Sequence, residues 1–236
     1  MDVKEQDILG DTIDANWYYR AKGAAMTRLL AARRVRHVLD VGAGSGIFAR
    51  RLLDQGAETA TCVDPAYPRE YTESHNGKPI HFTHAAATHD ADTVLLMDVL
   101  EHVDDDTALL RAYVQAAGPG TRFLITVPAF MWMWSGHDVF LEHRRRYTLA
   151  QLERVVRDAG LVVDTGCYFY GLTLPLAALR RRVLRLLNGP SVKSDLTRPS
   201  TLTNAILHAI CAVELRFFMA NRMGGLTAVC LAHRPK

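Results

Sequence analysis

The sequence predicts an α/β fold: a mostly parallel sheet of seven strands with helices on both faces, an antiparallel last strand, and a helical insertion before it. Three observations predict it. Short apolar runs alternate with stretches of helical period along most of the chain. A glycine-rich turn, Gly42-Ala43-Gly44-Ser45-Gly46, joins a buried strand pattern to a helical one. The run Thr93 to Met97 is almost entirely apolar, as a strand covered on both faces requires. The 236 residues, 49% hydrophobic, suit a single domain with a sizeable core and exclude a disordered or collagen-like chain. Within it the expected parts are a helical cap over 1–35, a core over 36–170, an insertion over 171–222 and a final strand over 223–236.

The elements follow in order. Trp17, Tyr18, Ala21, Ala25, Leu29 and Leu30 recur at helical spacing before the basic run Arg33, Arg34, Arg36. His37 to Val41 is the first strand, and a helix follows the glycine turn to about Gln55. Thr59 to Asp64, Pro79 to Phe82 and Thr93 to Met97 are the next strands. Asp104 to Ala117 reads as a helix whose early acids suit its positive N-terminal dipole, and Gly118-Pro119-Gly120 ends it. Arg122 to Val127 is a fifth strand running into a loop over Pro128 to Tyr147. Thr148, with Gln151 three residues on, makes a capping box for a helix that Gly160 closes. Leu161 to Tyr170 is a sixth strand. Residues 171–222 then carry two helical segments, split by Asn188-Gly189-Pro190 and Pro199, and Gly225 to His233 is the seventh strand, expected at an antiparallel edge.

The 28 basic and 25 acidic residues leave a net charge of +3, too small to argue for a nucleic-acid partner. Cys62, Cys167, Cys211 and Cys230 are widely spaced in apolar segments and read as buried, reduced thiols. Met1 to Gln6 is acidic and polar with no apolar run after it, and no stretch reaches 18 consecutive apolar residues. These features predict a cytoplasmic chain.

The glycine spacing narrows the chemistry. Counting from Gly42 and Gly44, a dinucleotide fingerprint needs glycine at 47, where Ile47 stands; a Gly-Lys-Ser/Thr phosphate loop is absent from the sequence. Glycines at 42, 44 and 46 let the backbone turn sharply and approach a ligand, and the amides of the following helix suit a carboxylate or ribose oxygens. Asp64 closes the second strand where a carboxylate meets a ribose diol in related sheets. With Asp40-Val41-Gly42-Ala43-Gly44-Ser45-Gly46 and Met97-Asp98-Val99-Leu100-Glu101-His102-Val103, the chain resembles class I S-adenosylmethionine-dependent methyltransferases over most of residues 14–170. Asn16-Trp17-Tyr18-Tyr19-Arg20, Trp134-Ser135-Gly136-His137-Asp138 and His143-Arg144-Arg145-Arg146-Tyr147 are similar to a bacterial subgroup that modifies glycans, lipids or secondary metabolites.

The resemblance implies a Rossmann-like sheet that binds S-adenosylmethionine and releases S-adenosylhomocysteine. It implies cofactor contacts from Asp40, Gly42, Ala43, Gly44, Gly46, Asp64, Pro65, Asp98 and Val99, with Trp17, Tyr19 and Arg20 folding over the ligand, unless that helix merely packs. The adenine acid expected after the third strand is replaced by His84-Ala85-Ala86-Ala87-Thr88, leaving backbone groups or Thr88.

Because the cofactor is the electrophile, the protein must hold a nucleophile in line, exclude water and remove a proton where the acceptor needs it. His102, His137, Asp138 and His143 are the candidates, with His137 expected as base and Asp138 as its orienting partner. The bland alternative is a His-Asp hydrogen bond that ties down the loop. Asp98, Glu101 and His102 resemble, with Asp for Glu, a divalent-ion segment of quinone-pathway O-methyltransferases; no metal is expected here. Trp134, Arg144, Arg145 and Tyr147 are the substrate-binding candidates. Pro175 to Leu187 makes a basic amphipathic helix that either roofs the site or lies on an anionic membrane surface. The next, Leu202 to Met219, is apolar nearly all round and is expected to be buried in the domain or in a homodimer.

The function expected is methyl transfer to an oxygen or nitrogen of a small, glycan-like or lipid-linked acceptor. The alternative is a catalytically silent cofactor-binding protein with a regulatory or scaffolding role. Nucleic-acid methylation is disfavoured, since no Asn/Asp-Pro-Pro-Tyr/Phe string for a flipped base is present.

Overall fold

The computed structural model describes residues 10–86, 90–188 and 199–236. After a short 3-10 turn, helix α1 (Trp17–Leu30) leads into β1 (His37–Val41), α2 (Ile47–Asp54), β2 (Thr59–Val63), β3 (Tyr71–His75), β4 (Lys78–Thr83) and β5 (Thr93–Met97). Then come α3 (Asp106–Ala116), β6 (Arg122–Pro128), α4 (Gly136–Phe140), α5 (Leu149–Asp158) and β7 (Val162–Phe169). Helices α6 (Leu174–Asn188) and α7 (Thr201–Glu214) precede β8 (Thr227–His233).

Among the described residues the strands form one sheet in the order β3-β4-β2-β1-β5-β6-β8-β7. β1 lies at its centre, Asp40 pairing with Cys62 on one side and Leu95 on the other, both in parallel register. Strand alternation divides the core into two layers. Val38, Leu95 and Met97 point toward α1 and α2, where they meet Met26, Phe48 and Leu53. Leu39, Leu96 and Phe123 point the other way, into the layer of Leu110 from α3 and Leu152 from α5. β5 is buried along its whole length, as its apolar run requires.

The structure departs from expectation in three places. An eighth strand, β3, forms an antiparallel hairpin with β4 in a stretch to which the sequence reading gave no strand; Asn76 and Gly77, at φ 52° and 78°, supply the left-handed pair that a tight hairpin turn needs. The last strand is antiparallel but not at the edge: β8 inserts between β6 and β7, antiparallel to both. β7 therefore runs in the direction of β6, β5 and β1, and their C-terminal ends share one edge of the sheet. The third departure is that α7 is not buried in the domain, Leu202 being 71% exposed and only Cys211 and Glu214 fully covered within the helix. The capping box of Thr148 and Gln151 forms as the sequence predicts, and the four cysteines are free and buried. Among the described residues no helix is long and apolar enough to cross a membrane.

Candidate active site

The C-terminal sheet edge is where open parallel sheets bind ligands, and here the backbone is bent to make room. Gly42, Gly44 and Gly46 all have positive φ. A Cβ on Gly42 would stand 2.7 Å from the Val99 side chain, so only glycine brings this turn against the end of β5. At this edge three residues with side chains adopt the same left-handed region just after a strand: Asp98 after β5, Phe130 after β6 and Tyr170 after β7. Such conformations cost on the order of 1–3 kcal/mol each and cluster where function requires them.

Asp40 lies beneath the glycine turn. Its carboxyl accepts from the Ala49 amide in the first turn of α2, and its other oxygen is buried without a partner. Burial pushes its pKa up to about 7. Asp64 accepts from the amides of Gly44 (3.1 Å) and Ala66 (2.9 Å), and Tyr67 Oη donates to the Gly44 carbonyl at 2.8 Å. Together these contacts hold the loop of Gly42, Ala43 and Gly44 beside Asp64 and the exposed Pro65. A glycine cradle with an orphaned buried oxygen at Ser45 as well as at Asp40 fits an adenosyl amino-acid ligand. Thr88, the adenine-pocket candidate, lies outside the described residues.

Beside the turn, the Asp98 carboxylate accepts from Thr126 Oγ1 at 3.0 Å and forms an ion pair with Lys22, a buried lysine of α1. Burial would raise the Asp98 pKa, but the Lys22 charge and hydrogen bonds outweigh it and hold the carboxyl below the usual range. Sequence reasoning missed Lys22: it sits at helical spacing from Tyr18 among apolar neighbours, and a lone lysine in a helix signals nothing until its partner is seen. Of the aromatic run, Trp17 and Tyr18 line the cavity described next, Tyr18 stacked on Tyr170 with ring centres 4.9 Å apart. Tyr19 points away into the core against Phe48. Arg20 is exposed on a separate, smaller cavity with Arg50 and Arg51. The geometry therefore separates these two from the side of the helix that faces Asp98.

A cavity of about 610 Å³ opens at this edge. Its floor carries Asp98, Glu101 and His102, its wall His137, His143 and Arg146, and its roof residues of α6 and α7 such as Leu176 and Thr203. All three histidine candidates thus converge. Their pairing differs from expectation, because Asp138 is the partner of His143 and not of His137. The fully buried Asp138 accepts from His143 Nδ1 (2.9 Å), Arg146 Nε (2.6 Å) and Nη2 (3.1 Å), and the Ser135 amide (2.8 Å). Asp138 heads α4 in a capping box with Ser135, which fixes its direction. Burial opposes its charge, yet the His143 and Arg146 contacts prevail and hold it well below the usual carboxylate range. With Nδ1 donating to Asp138, His143 Nε2 carries the lone pair.

Glu101 is wholly buried beside them, both oxygens without hydrogen-bond partners, and burial with the nearby Asp98 charge pushes its pKa well up. Glu101, His102 and His143 bring one ligand atom each within 4.8 Å of one another. His143 takes the place that the sequence reading gave to Asp98, which Lys22 engages.

The remaining substrate candidates are occupied elsewhere. Arg144 donates to the His102 carbonyl and pairs with Asp104; Arg145 donates to the Val103 and Asp104 carbonyls and pairs with Asp106. Buried Tyr147 donates to Asp106 (2.7 Å) and the Leu100 carbonyl (3.2 Å). These three fasten the loop after β6 to the one after β5, and neither they nor half-buried Trp134 line the cavity. Of the three consecutive arginines only Arg146 does, joined there by Arg180 and Arg181 of α6.

A family model described as a methyltransferase domain matches residues 15–165. The ubiquinone biosynthesis O-methyltransferase of Aeromonas salmonicida is 28% identical over 151 residues, which are 54% of this chain and 63% of the relative. A tRNA U34 carboxymethyltransferase of Idiomarina loihiensis is 27% identical over 132 residues, 50% of this chain and 41% of that one. The chain thus spans less than two thirds of the length of the curated relatives it matches. Among solved structures, phosphoethanolamine N-methyltransferase 2 of Haemonchus contortus with bound S-adenosyl-L-methionine superposes with a TM-score of 0.59 at 17% identity, over 99% of this chain and 57% of that one.

Two predictions follow from the geometry. Tyr147→Phe removes a buried hydroxyl that bonds Asp106, so it should lower unfolding free energy by about 1–2 kcal/mol with substrate KM unchanged; a raised KM without lost stability would return Tyr147 to the substrate. For Asp40, the folded state holds its proton more tightly than the unfolded chain, whose Asp titrates near 3.9. Its stabilising contribution is full below about pH 4 and is lost as pH rises to about 7, by on the order of 4 kcal/mol. Urea unfolding across that range should show the loss in wild type and a flatter profile in Asp40→Asn; parallel profiles would contradict the buried neutral carboxyl.

Proposed function

The chain belongs to the class I S-adenosylmethionine-dependent methyltransferase family, and we propose that it moves a methyl group to an oxygen or nitrogen of a small, glycan-like or lipid-linked acceptor seated against His143. The observation that carries this reading is the buried Asp138–His143 pair opening onto the cavity that Asp98 also lines. When bound, the cofactor supplies an electrophilic methyl on a sulfonium sulfur. The glycine turn and Asp64 hold its ribose and amino-acid ends, and Trp17 and Tyr18 close the side of the site nearest Lys22. His143 Nε2 takes the acceptor's proton as the new bond to carbon forms; Asp138 keeps the ring in the required tautomer and stabilises the imidazolium. His143 would thus hold the one proton that the acceptor gives up on methylation, with Asp138 balancing the imidazolium charge.

Arg146, charge-balanced by Asp138 and half of a buried pair, positions the histidine loop and gives the cavity a polar wall. Phenolic, hydroxyl and amine acceptors of amphiphilic character fit a cavity roofed by α6 and α7.

Titration with S-adenosylmethionine, followed by transfer of a labelled methyl to a panel of phenols, sugars and lipid-linked alcohols, tests the reading. His143→Ala should lower kcat by about 10²–10⁴-fold with cofactor Kd within about twofold of wild type. Unchanged kcat would remove His143 from the chemistry. Loss of wild-type activity in chelator would give Glu101, His102 and His143 a metal-binding role instead, and cofactor binding without transfer to any acceptor would favour a silent binding protein.

A further inference from the structure

The roof has a second face. On α6, Leu176, Leu179, Val183 and Leu186 follow one another at intervals of three, four and three residues, which places them within about 80° of one another around the helix. All four are exposed, Leu179 at 61% and Leu186 at 78%. On α7, Leu202, Ile206, Ala209 and Val213 make a second narrow exposed stripe. Monomeric soluble proteins rarely leave contiguous apolar surface of this kind uncovered.

The charges beside the stripes choose the occupant. Exposed Arg182 flanks the α6 stripe, Arg180 on the stripe's other side belongs to the cavity lining, and α6 contains no acid. The only acid of α7, Glu214, is buried and accepts from the amides of Gly171 and Leu172, which also ties the end of α7 to the approach of α6. Neither helix therefore presents a carboxylate to its surroundings. A second copy of the chain would set arginines against arginines, whereas an anionic surface would be complementary to them. Arg181 reaches the other way, to the Met133 carbonyl, and so seats α6 next to the exposed Trp132, an amphipathic ring suited to a headgroup layer.

We propose that α6 and α7 dock the protein on an anionic lipid bilayer, their leucine stripes in the acyl boundary and their arginines among the headgroups. Leu176 belongs to both the stripe and the cavity roof, so the cavity opens at the docked face and an amphiphile reaches it without crossing water. Docking needs no cofactor and is independent of which group His143 deprotonates.

Sedimentation of the full chain with phosphatidylcholine vesicles, with and without phosphatidylglycerol, tests it, alongside light scattering of the free protein. Wild type should bind the anionic vesicles and lose binding as salt rises. Arg182→Glu should weaken binding about fivefold or more. Leu179→Glu with Leu186→Glu should weaken it by about tenfold or more while the thermal melt stays at its wild-type midpoint. Absence of vesicle binding by wild type, or binding indifferent to these substitutions, overturns the proposal. So does a dimer that the double leucine variant converts to monomer, since the stripes would then cover one another.

Discussion

The Asp138 carboxylate organises this molecule's chemistry. It is wholly out of water, and a buried anion without partners would cost several kcal/mol. Four hydrogen bonds from His143, Arg146 and the Ser135 amide offset that cost, and each fixes something the site needs. Ser135 starts α4, Arg146 anchors the end of the loop, and His143 is turned into the cavity. The twenty residues between β6 and α5 contain little regular structure, yet this charge fixes their middle, while Arg144, Arg145 and Tyr147 fasten their end.

The strand ends impose the complementary constraint. Parallel strands deliver backbone to one edge of the sheet, and each chain must then turn out of the way. Glycine does so after β1 without Cβ strain, while Asp98, Phe130 and Tyr170 do so at a steric cost. Visible contacts hold all three, Phe130 by stacking on Tyr168 and by donating its amide to the Tyr147 carbonyl. Lys22 and Thr126 grip Asp98, and Tyr170 stacks on Tyr18 while donating to its carbonyl. The helix α1 therefore acts as a clamp across the edge, with Lys22 and Tyr18 on the side facing the cavity and Tyr19 on the side facing the core.

Much of this was legible in the sequence because the signals are local. The glycine spacing, the apolar β5 and the Thr148 capping box each lie within a few consecutive residues, and the structure realises them where the pattern places them. What was not legible depends on pairing across the chain. Whether Asp138 takes His137 or His143 cannot be read from adjacency: in a short helix neighbouring side chains diverge, and the partner is the histidine that the returning loop carries back. Arg144, Arg145 and Arg146 are consecutive, yet only the last faces the cavity, because the first two answer the acids that begin α3. The domain itself does not bury α7, for a related reason. The composition of the helix is apolar all round, but covering it requires a surface that the domain does not supply.

The central claim is that His143, oriented by Asp138, faces the reacting methyl. A crystal structure with S-adenosylhomocysteine bound tests it most directly. The account predicts the thioether sulfur at the cavity beside Asp98, with His143 Nε2 within roughly 8 Å, the reach of one acceptor atom hydrogen-bonded to the base and poised for attack. A sulfur directed away from this wall, with His143 still bonded to Asp138 but outside that reach, would contradict it and leave the pair as a fastening of the loop.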